Sequence, residues 1–348
     1  MRRWSIVLLM IVALMMAVGT AGCGEASKAA LAGGDQSPEA ILAAAMAASE
    51  NMTEAAGSFD VNVSIDADTS QMPEQAKAYL DEPMVLSGTF AYADEPRAGD
   101  FDVSLTMAGE TMDVGIKLID NLFWLAMGGQ WYEGPAEMSE MMNESFQAEA
   151  KLAEIKTLMD EMAIDPLTWL KDLRLVGEET IGETEVYHLS GAPDMAKIMT
   201  DMMALLRSEE FLELVDPSGS MTGSMGMGDM MPDADETQEM QTQVSEMFKD
   251  LSVDLWVEKA GSLLRKAAVT ANMVPPAGEE TGGVNGIAME ASVSLDGPGG
   301  AVTVEPPTSA LPFDELQRDM EENPEMFMGP FMGLMGGFGA GGVGFDTF

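Results

Sequence analysis

The chain has 348 residues, of which 46% are hydrophobic and 22% are charged, and its formal net charge is −42. The hydrophobic content is sufficient for a packed core, which excludes a wholly disordered chain. A surface this acidic repels nucleic acid and anionic lipid headgroups, so nucleic-acid binding is excluded and any membrane attachment would have to be covalent or hydrophobic.

The first 22 residues have the pattern of a secretory signal peptide. Arg2 and Arg3 precede a short apolar run, and small residues lead up to Cys23, the single cysteine of the chain. One cysteine cannot form an internal disulfide bond. The pattern resembles a bacterial lipoprotein signal, in which this cysteine is acylated, with Thr20 where that motif usually has Leu. The resemblance implies an acyl anchor such as palmitate on Cys23 and an extracytoplasmic location on the bacterial cell membrane; plain secretion is the alternative.

Residues 23–36 are rich in Ala, Gly and Ser and are predicted to form a tether. Ser37, Pro38 and Glu39 then begin an amphipathic helix, because Ser is a good N-cap and Pro suits the first turn. Gly57 is predicted to end this helix. From residue 59 to residue 133, apolar and polar residues alternate between short turns, which predicts an antiparallel meander of strands.

The apolar period changes to three and four between Pro135 and Ile164, which predicts a long amphipathic helix. Asp165 is predicted to cap a short second helix that contains Trp169. Strands are predicted at residues 173–176 and 183–189, followed by a helix over residues 193–206 with one Met-rich side. Met is frequent, at 34 residues, and fits either a deformable ligand pocket or simple replacement of Leu.

Residues 217–249 are predicted to be a mobile, acidic, Met-rich insertion. Residues 250–273 show alternation on both sides of a turn at Gly261, which predicts a long hairpin. Further strands are predicted at residues 287–295 and 302–304. Residues 308–348 are predicted to be a low-complexity Gly, Met and Phe tail, with a weak helix near residues 313–322.

This order of signal, helix, meander, helices and final strands resembles the LppX/LprG-type bacterial lipoproteins and, more distantly, the LolA-like carriers. The residues that carry the resemblance are Phe123 to Tyr132, Asp165-Pro166 with Trp169-Leu170, residues 177–189, and Val253 to Val257 with Leu263 to Lys266. The resemblance implies an α+β fold over residues 37–307, in which a curved antiparallel half-barrel of about ten strands wraps amphipathic helices.

By the same resemblance, the chain would bind and transfer acylated lipids or a lipoprotein ligand in an apolar cavity between sheet and helices. An envelope transporter is a candidate partner, and no cofactor or metal is implied. The predicted cavity residues share an apolar side chain on the inward side of a predicted helix or strand: Ile41, Met52, Phe90, Val103, Leu105, Val114, Ile116, Met141, Leu152, Ile198, Met202, Leu255, Val257, Val269 and Met289. Each of them also suits plain core packing.

The sequence gives little support for an enzyme. His188 is the only histidine, Cys23 lies at the signal cleavage site, and a Gly-x-Ser-x-Gly motif is absent from the sequence. Zinc sites need several His or Cys ligands. The prediction is therefore a non-enzymatic binding protein. Two alternatives remain open: an envelope interaction or sensor module without a ligand cavity, and a hydrolase that uses His188.

Overall fold

A computed structural model describes residues 36–49, 52–71, 77, 80–93, 97–135, 148–215, 242, 244, 246–275, 283–296 and 302–322. The signal region, the anchor residue Cys23 and Met141 lie outside these residues. Two compact units are present, and each is assembled from two stretches of chain. Unit 1 comprises Met1–Met52 and Glu144–Pro276, and unit 2 comprises Thr53–Asn143 and Ala277–Phe348.

The described elements comprise five α-helices and twelve strands. The helices are α1 (Pro38–Ser49), α2 (Ala148–Glu161), α3 (Met195–Leu206), α4 (Glu209–Val215) and α5 (Phe313–Glu322). The strands are β1 (Glu54–Ala67), β2 (Met84–Ala93), β3 (Ala98–Met107), β4 (Glu110–Ile119), β5 (Leu122–Met127), β6 (Gln130–Glu133), β7 (Leu170–Ile181), β8 (Thr184–Pro193), β9 (Phe248–Glu258), β10 (Leu264–Met273), β11 (Val284–Leu295) and β12 (Leu311–Pro312).

Unit 1 places helices on one face of the strands β10-β9-β8-β7. Leu255 in β9 pairs with Leu189 in β8 and with Ala267 in β10, which aligns the apolar side chains of these strands. Helix α1 packs against β7, β9 and β10, and its residues Ile41 and Leu42 are buried. This is an ordinary helix-on-sheet core, because each amphipathic element covers the apolar side of the other.

Unit 2 contains the strands β12-β6-β5-β4-β3-β2-β1-β11, in that spatial order. Short turns join the consecutive strands from β3 to β6. Gly128 and Gly129 form the two-residue turn between β5 and β6 with φ angles of 58° and 81°. A two-residue hairpin turn that matches the twist of its strands needs a positive φ angle at both residues. Glycine adopts a positive φ angle without strain. The meander predicted from the alternating sequence is confirmed.

The fold class is α+β with a large open sheet of twelve strands, as the sequence predicted, although the prediction was about ten strands. Strand pairing is antiparallel except that β12 pairs in parallel with β6. The predicted strand at residues 302–304 was wrong, since this segment has no strand pairing in the structure. Val302 and Val304 give only two alternating apolar positions, and so short a pattern does not distinguish a strand from an extended loop.

The predicted helix cap at Asp165 is correct, whereas the predicted helix end at Gly57 is wrong. Asp165 caps the 3₁₀ turn at Pro166–Trp169 by accepting a hydrogen bond from the Leu167 amide, as predicted. Helix α3 begins after Asp194, whose side chain accepts from the Lys197 amide. Gly57 was wrongly predicted to end α1. It lies inside β1, where a Cβ would collide with the carbonyl oxygen of Ser294, so its small size serves close strand pairing.

Candidate functional site

In unit 2, the pairing of the strands brings apolar side chains onto one side of the sheet. Residues that pair across neighbouring strands point to the same side. Val103 in β3 pairs with Gly88 in β2 and with Val114 in β4. Following such pairs from β11 to β6 defines the apolar face: Ala55, Phe59, Val61, Val63, Ile65, Met84, Leu86, Phe90, Tyr92, Phe101, Val103, Leu105, Met107, Met112, Val114, Ile116, Leu118, Phe123, Leu125, Met127, Tyr132, Ile287, Met289, Ala291, Val293 and Leu295.

Charge is almost excluded from the apolar face. Among the residues that these described pairings place on it, Glu110 at the first position of β4 is the one with a charged side chain. The opposite face of the same strands is polar and acidic, with residues such as Asp60, Asp102 and Asp113. The protein has a net charge of −42. In these strands of unit 2, the charged side chains lie almost entirely on the face opposite the apolar face.

The apolar face is incompletely covered. In β2, β3 and β4 its residues Phe90, Val103, Leu105, Val114 and Ile116 are only half-buried. Met107 and Leu118, towards the ends of β3 and β4 on the same face, are buried. Apolar side chains that pack in a protein core are normally almost fully removed from water. A half-buried patch spread over several neighbouring strands is therefore a candidate binding surface, since contiguous exposed apolar patches usually mark interaction sites.

The equivalent side of the strands in unit 1 is buried. Leu189, Leu255 and Val257 have relative exposures of 0%, 0% and 1%, and Val269 is similarly buried. Helix α1 packs against β7, β9 and β10, and its Ile41 is buried. The two units therefore treat the same sequence pattern differently: these strand residues are buried in unit 1, where α1 packs on the strands, and several of their counterparts in unit 2 are half-buried.

The predicted cavity residues divide between these two situations. Phe90, Val103, Leu105, Val114, Ile116 and Met289 lie together on the apolar face of unit 2, with Met289 buried. Ile41, Ile198, Leu255, Val257 and Val269 are buried in unit 1, and Met202 and Met52 are half-buried there. Leu152 belongs to α2, but its side chain is not described. Met141 lies outside the described residues altogether.

His188 is held in place on the polar side of β8. Its Nδ1 lies 2.7 Å from Glu179 Oε1 and its Nε2 lies 3.0 Å from Asp254 Oδ1. Its ring stacks on Trp256 with 4.5 Å between the ring centroids. Carboxylates therefore occupy both ring nitrogens, where a hydrolase would need a nucleophile at one of them. This geometry gives no support to the hydrolase alternative.

The side chains around His188 form a network that the sequence did not reveal. The Trp256 indole N–H donates to Glu179 Oε2 at 2.9 Å, and the Lys266 ammonium lies 5.0 Å from the Trp256 ring centroid. Hydrogen bonds from Trp256 first, and then from His188, hold the pKa of Glu179 below its usual value. The only available signal was that His188 and Trp256 both occupy outward positions on predicted strands.

Two further polar contacts between distant residues were not predicted. The Trp169 indole N–H donates to Asp201 Oδ2 at 2.7 Å inside unit 1. The Tyr132 hydroxyl donates to Asp319 Oδ2 at 3.0 Å and connects β6 with α5 inside unit 2. Burial raises the pKa of Tyr132, and the hydrogen bond to Asp319 raises it further. The two residues of each contact are far apart in the sequence, so no local sequence pattern predicts either contact.

No helix within the ranges given above is long and apolar enough to cross a membrane. In those same ranges, no group of three or more His, Cys, Asp or Glu side chains is arranged to bind a metal ion.

Solved structures match this chain, whereas no family model and no curated protein does. Lipoprotein LppX from Mycobacterium tuberculosis is 12% identical with a TM-score of 0.34, over 77% of this chain and 98% of that chain. LprF from Mycobacterium bovis is 13% identical with a TM-score of 0.32, over 78% and 97%.

A putative outer membrane lipoprotein-sorting protein domain from Vibrio parahaemolyticus also matches, with 9% identity and a TM-score of 0.20, over 84% of this chain and 99% of that chain. These matches are likenesses of structure, with sequence identities of 9–13%.

Proposed function

We propose that this protein is a lipid-anchored, extracytoplasmic lipoprotein that binds the acyl chains of lipids on the apolar face of unit 2 and transfers them. The single observation that carries the proposal is the half-buried state of Phe90, Val103, Leu105, Val114 and Ile116 on that face. The signal pattern that ends at Cys23 supports the anchor and the location. The protein acts by binding and is not an enzyme.

An acyl chain fits the chemistry of the apolar face better than a polar ligand does. The face offers aliphatic, aromatic and Met side chains, and the pairings place one charged residue, Glu110, at its margin. Each buried methylene contributes about 0.8 kcal/mol, so ten of them contribute about 8 kcal/mol before the costs of immobilisation. Binding of this kind needs little directional bonding, which allows one ligand to be exchanged for another.

The acidic surface fits the same proposal. With a net charge of −42, the protein is repelled by anionic headgroups, so it does not adhere to the membrane through its surface. Two acyl chains on Cys23 would hold it there instead, since two anchors are stable where one is marginal. A bound lipid would then be held by its apolar part, with the charged headgroup left in water.

The proposal is tested with purified full-length protein and a fluorescent fatty acid. Val103→Asp puts a charge at the centre of the apolar face and is expected to weaken binding at least tenfold, because burial of an unpaired carboxylate opposes contact with an acyl chain. Ser104→Asp is the matched control, since Ser104 is the next residue on the opposite face, and it is expected to leave the affinity within about twofold.

A second variant separates loss of binding from loss of folding. Val103→Thr keeps the shape of the side chain and adds one hydroxyl, so the fold is retained and fatty-acid affinity is expected to fall about three- to tenfold. Organic extraction of the wild-type protein, followed by mass spectrometry, is expected to yield acylated lipid. Wild-type protein that yields no lipid and takes up no fatty acid would refute the proposal.

A further inference from the structure

We propose that the C-terminal segment, residues 323–348, docks onto the apolar face of unit 2 and competes there with lipid. The proposal rests on the proposed function, because it assigns an internal competitor to the same surface. It gives a role to the Gly, Met and Phe stretch that follows the last described helix. The occupant is this chain's own segment, and its position, chemistry and reach argue for it.

The position of α5 directs the segment to the correct side of the sheet. Tyr132 pairs with Leu125, so its side chain lies on the apolar face. Its hydroxyl donates to Asp319 of α5, and Leu316 on the same helix is only 2% exposed. Helix α5 therefore packs against β6 from the apolar side, and it ends at Glu322, less than one turn after Asp319. The following residues start beside the apolar face.

The chemistry of the segment matches that face. No residue from Met326 to Phe345 carries a charge, although the protein as a whole has a net charge of −42. Within this stretch Phe and Met recur between glycines, and Phe327, Phe331 and Phe338 are among them. Met and Phe side chains supply large apolar area, and Met adapts to irregular surfaces. Leaving them in water would be unfavourable when a half-buried apolar surface lies nearby.

The segment is also long enough to cover the strands concerned. The segment has 26 residues. It spans about 86 Å when extended, at roughly 3.3 Å per residue. The strands from β6 to β11 are separated by about 4.8 Å each, so the face is roughly 30 Å wide. The segment can therefore cross β5, β4, β3 and β2 from its starting point beside β6 without any change in α5.

The first experiment locates the segment in the full-length protein. Phe331 is replaced by a photoreactive benzophenone amino acid, and cross-linked peptides are identified by mass spectrometry. Cross-links are expected within one chain, to residues of β2, β3 and β4 that include Val103 and Val114. The same probe at Leu122, whose pairing with Ile119 places it on the opposite face, is expected to form no cross-link to residues 323–348.

The second experiment measures competition by fatty-acid binding. Phe331→Ser combined with Phe338→Ser is expected to tighten binding of the fluorescent fatty acid about tenfold, because removing the competitor raises the fraction of protein that is open to ligand. Gly336→Ser combined with Gly341→Ser is the matched control. It changes the same number of residues in the same stretch, loses no apolar side chain and is expected to leave the affinity unchanged.

The outcomes separate this proposal from the proposed function. One outcome is that the wild type, the Phe→Ser variant and the Gly→Ser variant bind the fatty acid with equal affinity and that no cross-link to the apolar face forms. This outcome overturns segment docking, and lipid binding still stands. Cross-links to the apolar face in a protein that binds no fatty acid leave docking standing and refute lipid binding and competition. Cross-links that form only between mixed isotope-labelled chains overturn the intramolecular contact in favour of a second copy.

Discussion

At the scale of single residues, the most consequential polar contact lies between Trp169 and Asp201 in unit 1. Asp201 accepts the indole N–H at 2.7 Å and also lies 2.8 Å from the Lys197 ammonium. Both Trp169 and Asp201 are buried. A buried N–H that loses its acceptor costs more than the bond itself contributed, because water does not replace the acceptor.

Asp201→Ala is therefore expected to lower the free energy of unfolding by about 1–3 kcal/mol, since the Trp169 N–H is left without its acceptor. Asp201→Asn keeps an oxygen that can accept from Trp169 and is expected to cost less. Urea denaturation followed by tryptophan fluorescence measures both. Equal losses for the two variants would show that the hydrogen bond is not what stabilises this part of unit 1.

Glu179 gives a prediction about pH. Its pKa is lowered in the folded protein by hydrogen bonds from Trp256 and His188. A carboxylate with a lowered folded-state pKa stabilises the fold above its ordinary pKa of 4.5, and this stabilisation is lost as the pH falls through the lowered value. Acidification below pH 4.5 should therefore remove a contribution that Glu179 makes at neutral pH.

Glu179→Gln is expected to lower the melting temperature at pH 7 and to flatten its decline below pH 4.5. Differential scanning calorimetry across pH 3–7 measures the profile. Glu183→Gln is the control, because Glu183 is an exposed carboxylate in the turn between β7 and β8. If both variants follow the wild-type profile, the contacts of Glu179 with Trp256 and His188 do not contribute to folding stability.

At the scale of elements, Gly88 shows how close strand pairing shapes the apolar face. A Cβ at Gly88 would collide with the carbonyl oxygen of Asp102 and would lie 2.6 Å from the Phe59 ring. Phe59 pairs directly with Gly88, so its ring occupies the space that a larger residue would need. The glycine thus allows a bulky aromatic residue on β1 to lie over β2.

Gly88→Ala is expected to lower the free energy of unfolding by about 1–3 kcal/mol, because the added methyl group forces the strands or the Phe59 ring to move. Gly177→Ala is the matched control, since a Cβ at Gly177 in β7 meets no atom within 4 Å. It is expected to be neutral or slightly stabilising through the unfolded chain. Similar losses in urea denaturation for both variants would contradict the steric argument.

At the scale of the whole molecule, charge is the dominant feature. The net charge of −42 is spread over 348 residues, and self-repulsion of this kind opposes the compact state. Salt shortens the range of that repulsion, from about 30 Å at 0.01 M to about 8 Å at 0.15 M. The stability of the fold should therefore depend on ionic strength more than that of a protein with balanced charge.

Raising NaCl from about 10 mM to about 150 mM is expected to increase the melting temperature by roughly 2–5 °C, because screening weakens the repulsion. Sorbitol at the same osmolality is the control and is expected to have a smaller effect. Differential scanning fluorimetry gives both values. A melting temperature that falls or stays constant with salt would show that the acidic residues are already separated enough not to interact.

The sequence by itself determined the class of fold and the identity of most elements. Alternation of apolar and polar residues predicted the meander from β1 to β6 and the hairpin of β9 and β10, because side chains on a strand alternate between its faces. Asp165 predicted a cap for the same local reason. These signals depend on neighbouring residues alone, so one sequence is enough to read them.

Only the tertiary structure decided which apolar sides are filled and which are half-buried. Val103 and Leu255 have the same alternating surroundings in sequence, yet Leu255 is fully buried in unit 1 and Val103 is half-buried in unit 2. The burial of a strand residue depends on what packs above it, and in unit 1 that partner is α1, about 200 residues away in the chain. Local patterns carry no information about such distant contacts. For this reason the sequence placed Val103 and Leu255 in one predicted cavity, and only the folded chain separates them.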